Sequence, residues 1–384
     1  MSEWKKIKLE DIVSKLGDGL HGTPKYNENG ECYFINGNNL RDGKIIIKDN
    51  TKKVSQNEYL KYKKELNNRT IFLGINGTIG NVALFNNEKC ILGKSVCYFN
   101  VVEKVNKQFI KYVILNKSFQ SYLENFANGT TIKNVSLKAI REFELFLPPL
   151  PEQHAIASVL SSLDDKIDLL HRQNLTLEKM AETLFRQWFI EDAKEDWEEG
   201  TLKDEFDFIM GQSPSSSSFN EKCVGIPMYQ GNRDFGYRFP TNRIFTTEAK
   251  RIAKKFDTLI SVRAPVGEQN MANELCCIGR GVAAFRYKKN SNFYTYTYFK
   301  MKSLINKIKS FNNEGTVFGS ISKSDFEKLE MLIPNKIDVD NFQDEVKPID
   351  DKIILNVNQI RILEKMRDTL LPKLMSGDIR IKIN

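Results

Sequence analysis

Short polar runs framed by glycine hold the side chains most able to do chemistry in this 384-residue chain. Toward the N-terminus they are Lys25 in "HGTPKY", Asn36, Asn38, Asn39 and Arg41 in "FINGNNLR", Asn76 and Thr78 in "INGTIG", and Thr130, Thr131 and Lys133 in "NGTTIKN". A second set holds Ser215 and Ser216 in "GQSPSSSS", Gln230, Asn232 and Arg233 in "YQGNR", Arg263 in "VRAPVG", Arg280 in "IGRG" and Thr316 in "EGTVFG". Amide and guanidinium groups make paired hydrogen bonds to base edges, while Lys, Arg, Ser and Thr hold phosphates. Any one run alone reads as an ordinary turn. Their recurrence on two basic segments points to nucleic-acid contact. Arg233 and Arg263 are the strongest candidates, each projected by a Gly or Pro turn.

No catalytic set accompanies them. "GKS" at 93–95 ends like a phosphate loop, but Glu88 stands where the first glycine is required. "LPPL" at 147–150 lacks the Asn or Asp and the aromatic residue of an amino-methyltransferase motif. Ser215–Ser218 has no glycine frame for a nucleophile elbow, and His21, His154 and His171 have no evident triad or metal partners. The six cysteines include no C-x-x-C pair and read as reduced, mostly buried thiols. "DDK" at 164–166 and 350–352 reads as a solvated helix face. Nuclease, methyltransferase and NTPase chemistry are therefore not expected of this chain, and neither is a metal or cofactor.

The elements that must position the polar runs form a tandem repeat. "SSLDDKIDLLHRQNLTLEKMAETL" at 161–184 and "KPIDDKIILNVNQIRILEKMRDTL" at 347–370 share 12 of 24 residues, 186 apart. At the same offset "CILGKSVCYF" at 90–99 faces "CCIGRGVAAF" at 276–285; with a small shift, Trp4 faces Trp197 at the start of each copy. The unit is a basic block followed by a helical block: 1–147, 148–196, 197–333 and 334–384. The basic blocks hold 23 Lys and Arg against 15 Asp and Glu, and 20 against 15; the helical blocks hold 5 against 10 and 9 against 9. Within each basic block, short apolar runs bounded by Gly and Asn predict strands, followed by a helix at 107–126 and at 294–311.

In the helical blocks apolar residues recur at 4-3-4-3 spacing, from Ile156 to Trp188 and from Phe342 to Leu374, the seam of a coiled coil. Asn174 and Asn356 interrupt the seams; whether they meet is left open by spacing alone. The expected architecture is α+β: two repeated α/β domains joined by two long helices in an antiparallel coiled coil, pseudo-two-fold. Two helices use only part of their surface on each other. His171, Arg172, Phe185, Trp188, Phe189 and Arg367 are expected to receive a partner. Arg367 replaces Ala181 at one seam level, so the two helices are not equivalent. No run spans a bilayer and the N-terminus lacks a signal-peptide core, so a cytoplasmic protein with no membrane partner is expected.

"LPPLPEQ", "LDDKI" and "LFRQWF" in the first helical block, "LLPKLMSGDI" in the second, and "GQSPS" and "VRAPVG" in the second basic block resemble the specificity subunit of type I restriction-modification enzymes. The resemblance covers nearly the whole chain and is most specific in the helices. It implies a non-catalytic chain whose two target recognition domains each read half of a split, asymmetric double-stranded DNA sequence. It also implies a coiled coil that spaces those domains and docks two modification subunits, which bind S-adenosylmethionine and methylate adenine. Restriction subunits are an optional addition. The alternative from another class is a coiled-coil adaptor whose basic domains bind some other acidic partner.

Overall fold

A computed structural model describes residues 4–127, 133–310 and 320–382. Backbone contacts divide the chain into two units, Met1–Asp168 with Ile362–Asn384, and Leu169–Arg361.

In the first unit the apolar runs form a four-stranded antiparallel sheet in the order Val13–Asp18, Val96–Val101, Thr70–Gly74, Val82–Leu84. Thr70–Gly74 and Val96–Val101 are buried at every position. They read as continuous rather than alternating apolar runs because both faces are covered. A three-stranded sheet, Lys53–Val54, Cys32–Ile35 and Cys90–Leu92, joins its last two strands in parallel. Lys5–Lys8 pairs with Glu144–Leu147 and closes the domain at its chain ends.

The second unit repeats the plan. Its four-stranded sheet runs Phe206–Met210, Val282–Tyr287, Thr258–Ser261, Gln269–Met271. Ile226–Tyr229 and Cys276–Ile278 again pair in parallel, and Glu198–Thr201 pairs with Glu330–Ile333. The helix expected at 107–126 is two helices, Lys107–Leu115 and Lys117–Phe126, because Asn116 adopts extended backbone between them. Its counterpart, Tyr294–Ser310, is unbroken. All six cysteines are free and only Cys223 is exposed; burial pushes the Cys90 thiol up to about 12.

Two long helices each contribute to both units: Leu150–Arg186, running into a π-helical turn at Gln187–Glu191, and Lys336–Ser376. Gly377 stops the second with φ +78°, the left-handed conformation that follows many helix ends. Their pairing is antiparallel within each unit. Ile156 and Leu160 share a core with Leu374, and Phe185 lies 5.4 Å from Phe342. Among the described residues no helix is long and apolar enough to cross a membrane.

The two seam asparagines meet. Asn356 Nδ2 donates to Asn174 Oδ1 at 2.9 Å, with both side chains fully buried. The remaining amide atoms, Asn174 Nδ2 and Asn356 Oδ1, have no hydrogen-bond partner. One satisfied bond between two desolvated amides favours the register that joins them, at some cost in stability. Asn174→Leu alone strands the other amide and is expected to cost about 1–3 kcal/mol in urea unfolding. The double Leu variant is expected to be neutral or more stable. A single variant as stable as its parent would show that the bond does not hold the register.

Candidate nucleic-acid interface

The polar loops of each unit are gathered by one set of backbone hydrogen bonds, made twice. Gly19 and Gly211 N–H donate to the Val96 and Val282 carbonyls at 3.0 and 2.9 Å, tying the first loop to the central strand. Ile75 and Val262 N–H donate to the Ser95 and Gly281 carbonyls, both at 2.9 Å. Val135 and Ile321 N–H donate to the Ile75 and Val262 carbonyls at 2.9 and 3.0 Å. Isolated bridges join Asn76 to Asn134 and Arg263 to Ser320. These bonds place Asn76 and Arg263 at equivalent positions.

The rim of each cradle carries the expected side chains in unequal ways. Asn38, Arg41, Lys133, Gln230, Arg233, Arg263 and Arg280 are exposed; Asn36, Asn76, Thr78 and Asn232 are half-buried. Asn36 Oδ1 accepts from Ser95 Oγ at 3.0 Å, which turns it toward the neighbouring strand connection. Gly37 lies so close to Thr78 that a Cβ there would run into its hydroxyl. Arg41 stands on a small hairpin beside Asp42.

Lys25 is exposed and held through its N–H to Glu58; no hydrogen bond joins it to the cradle among the described residues. Ser215 and Ser216 are exposed, and Ser215 Oγ is engaged with Ser217 within its own turn. Thr130, Thr131 and Thr316 lie outside the described residues.

Asn39 needs correction. It is 5% exposed, accepts the Asn36 N–H at 3.1 Å and donates to the Ile46 carbonyl at 3.0 Å, so it shapes the loop from inside. Asp234 does the same in the second unit, accepting the Gln230 N–H at 2.8 Å. Lys94, in the rejected "GKS", occupies the place of Arg280; the alignment of "GKS" with "GRG" is the signal that could have found it.

Carboxylates of the long helices hold each domain in place, and here the reading of "DDK" as a solvated face is overturned for its first aspartate, Asp164 and Asp350, while Asp165, Lys166 and Lys352 are exposed as expected. Asp164 accepts from Lys111 Nζ at 2.9 Å, Tyr112 OH at 2.6 Å and Arg367 Nη1 at 3.2 Å. Burial pushes its carboxyl up, but these three donors outweigh burial and hold it below its ordinary value. Its repeat counterpart Asp350 is fully buried, paired with the Arg238 guanidinium and accepting from Thr295 Oγ1 at 2.9 Å. The indole N–H groups of Trp4 and Trp197 donate to Glu152 and Asp338, both at 3.1 Å, in the first turns of the two long helices. The charged groups face inward because each has a matched partner.

Residues 1–179 and 194–362 match the family described as type I restriction modification DNA specificity domain. The chain belongs to the type I restriction-modification specificity subunits. It is 30% identical over 410 residues to a Methanocaldococcus jannaschii chain named for the MjaX specificity subunit of a type I restriction enzyme, covering 99% of this chain and 94% of the relative. It is 20% identical over 474 residues to the type I restriction enzyme HindI specificity subunit of Haemophilus influenzae, covering 99% of this chain and 100% of the relative. A crystal structure of the S subunit from M. genitalium has the same fold, with a TM-score of 0.64 at 22% identity over 99% of this chain and 97% of that one.

For this specificity subunit the docking residues read from the helices need revision. Phe185 and Phe189 are 4% and 6% exposed and form the second domain's core with Phe342 and Tyr296. They are not available to a partner. Trp188 is half-buried against Phe342, and Arg367 is engaged by Asp164 and Asp368. His171 and Arg172 are exposed.

Arg263 remains the clearest test of base reading. It has no hydrogen-bond or ion-pair partner among its described neighbours through its side chain, and it replaces Asn76 of the first repeat. Arg263→Ala is expected to cost about 1–3 kcal/mol in binding and to relax one base of the methylated sequence. Equal weakening on all sequences would assign it to phosphate instead.

Proposed function

We propose that this specificity subunit is the non-catalytic reader of a type I restriction-modification complex. The basic blocks, 1–147 and 197–333, each read one half of a split, asymmetric double-stranded DNA target. The helical regions, 148–196 and 334–384, carry two modification subunits, which hold S-adenosylmethionine and methylate adenine. Restriction subunits are an optional addition to the assembly, which works in the cytoplasm with the DNA.

One observation carries this reading: a single cradle of backbone hydrogen bonds is built twice, with non-equivalent polar groups on its rim. Asn76 in one copy stands where Arg263 stands in the other. A common scaffold supports binding to the same kind of molecule, and different rims support two different sequences. Production of the modification subunits with and without this chain, followed by sequencing of methylated adenines, tests it. A single bipartite motif is expected only when the chain is present. Methylation of an unsplit motif, or the same motif without the chain, would refute the proposal.

A further inference from the structure

Across the repeat the rim changes chemical type where Asn76 faces Arg263, but a positive charge is kept at another position. Lys94 and Arg280, 186 residues apart, are both cations and each follows a glycine. Each occupies the first corner of a hydrogen-bonded β-turn, closed by Val96 N–H to the Gly93 carbonyl at 2.9 Å and by Val282 N–H to the Gly279 carbonyl at 3.0 Å. Both turns are fastened to the neighbouring loop in the same way: Gly93 and Gly279 N–H donate to the Ile35 and Tyr229 carbonyls, both at 2.8 Å. The fit is close. A Cβ at Gly93 would meet Asn36 Oδ1, and one at Gly281 would meet the Gln230 carbonyl. The cation is therefore held beside the polar loop of its own domain.

Both side chains are exposed, and neither has an ion-pair partner among the described residues. Other cations of these domains are neutralised by acids: Lys44 by Asp168, Arg243 by Asp234 and Arg286 by Asp257. A Lys and an Arg differ in hydrogen-bonding geometry and share only positive charge and reach. A base contact depends on geometry, whereas a phosphate contact tolerates the exchange. Two domains that read different half-sites have the sugar-phosphate backbone in common.

We propose that Lys94 and Arg280 are matched phosphate contacts, one in each reading domain, that hold the DNA backbone beside the half-site and read no sequence. This rests on the two repeats being half-site readers.

The test uses the full chain assembled with its modification subunits, carrying Lys94→Ala, Arg280→Ala or both, and a duplex bearing the mapped target. The slope of log affinity against log salt is expected to shallow by about 0.9 for each cation removed. The methylated motif is expected to stay unchanged at every base. Lys94→Arg and Arg280→Lys are expected to keep the parental slope, which separates lost charge from disturbed folding. Parental slopes in the Ala variants, or relaxation of one base in the motif, would overturn the proposal. The unsubstituted complex reports on the underlying reading separately: if it methylates no bipartite motif, the half-site assignment itself fails, whatever the slopes.

Discussion

Replacing residues 197–333 with the corresponding block of another specificity subunit is expected to change one half of the methylated sequence and leave the other half intact. The second reading domain has its own sheet and its own apolar core, and its cradle closes through hydrogen bonds among its own loops. Readout by one cradle therefore does not draw on side chains of the other. The exchange must retain the groups that meet the long helix: Trp197 for Asp338, Arg238 and Thr295 for Asp350, and Tyr296, whose N–H donates to Gln343 Oε1 at 3.0 Å. A donor block lacking these is expected to fold poorly rather than read a new sequence. Methylation mapping on the folded chimaera decides the matter. A change in both halves, or in neither, would show that the domains do not read independently.

The second large effect concerns the Arg238–Asp350 pair. Both side chains are fully buried, and the guanidinium carbon lies 3.4 Å from the Tyr298 ring centroid. Arg238 belongs to the loop that also carries Arg233, so the ion pair ties that candidate rim loop to the C-terminal long helix. Two desolvated charges stabilise the fold only while each has the other. Asp350→Ala leaves an unpaired buried guanidinium and is expected to cost about 3–5 kcal/mol. Replacement of both, Arg238→Met with Asp350→Leu, removes the desolvation cost together with the attraction and is expected to recover most of that loss. Urea unfolding of the single and double variants measures the difference. If the single variant matches its parent, the pair does not anchor the loop. Methylation in the single variant is expected to fall through weaker recognition of the half-site read by the second domain.

Much of this architecture is legible in the sequence because its determinants are local and periodic. Apolar residues at 4-3 spacing dictate a helix with one buried stripe, and every seam position from Ile156 to Ala181 is buried or half-buried in the structure. The 186-residue offset announces two copies before any strand is placed, and the same hydrogen bonds recur at nearly that offset. Part of the candidate rim was legible for the same reason: glycine-framed polar runs leave Asn38, Arg41, Gln230, Arg233, Arg263 and Arg280 exposed.

What tertiary structure alone decided involves partners distant in sequence. Asn174 and Asn356 meet across 182 residues, and seam spacing cannot reveal which levels of two antiparallel helices face each other. Asp164 and Asp350 read as solvated because a carboxylate on a helix defaults to water; Lys111 and Arg238, 53 and 112 residues away, reverse that default. Asn39 looked like its exposed neighbour Asn38, yet a single residue's rotation around the turn sends one amide outward and the other into the loop. Phe185 and Phe189 stand where the helix passes into a π-helical turn, and a face at such an end cannot be assigned by counting in steps of 3.6. Their burial was settled by Phe342 and Tyr296, which the fold brings from the C-terminal helix and the second domain to complete one aromatic core.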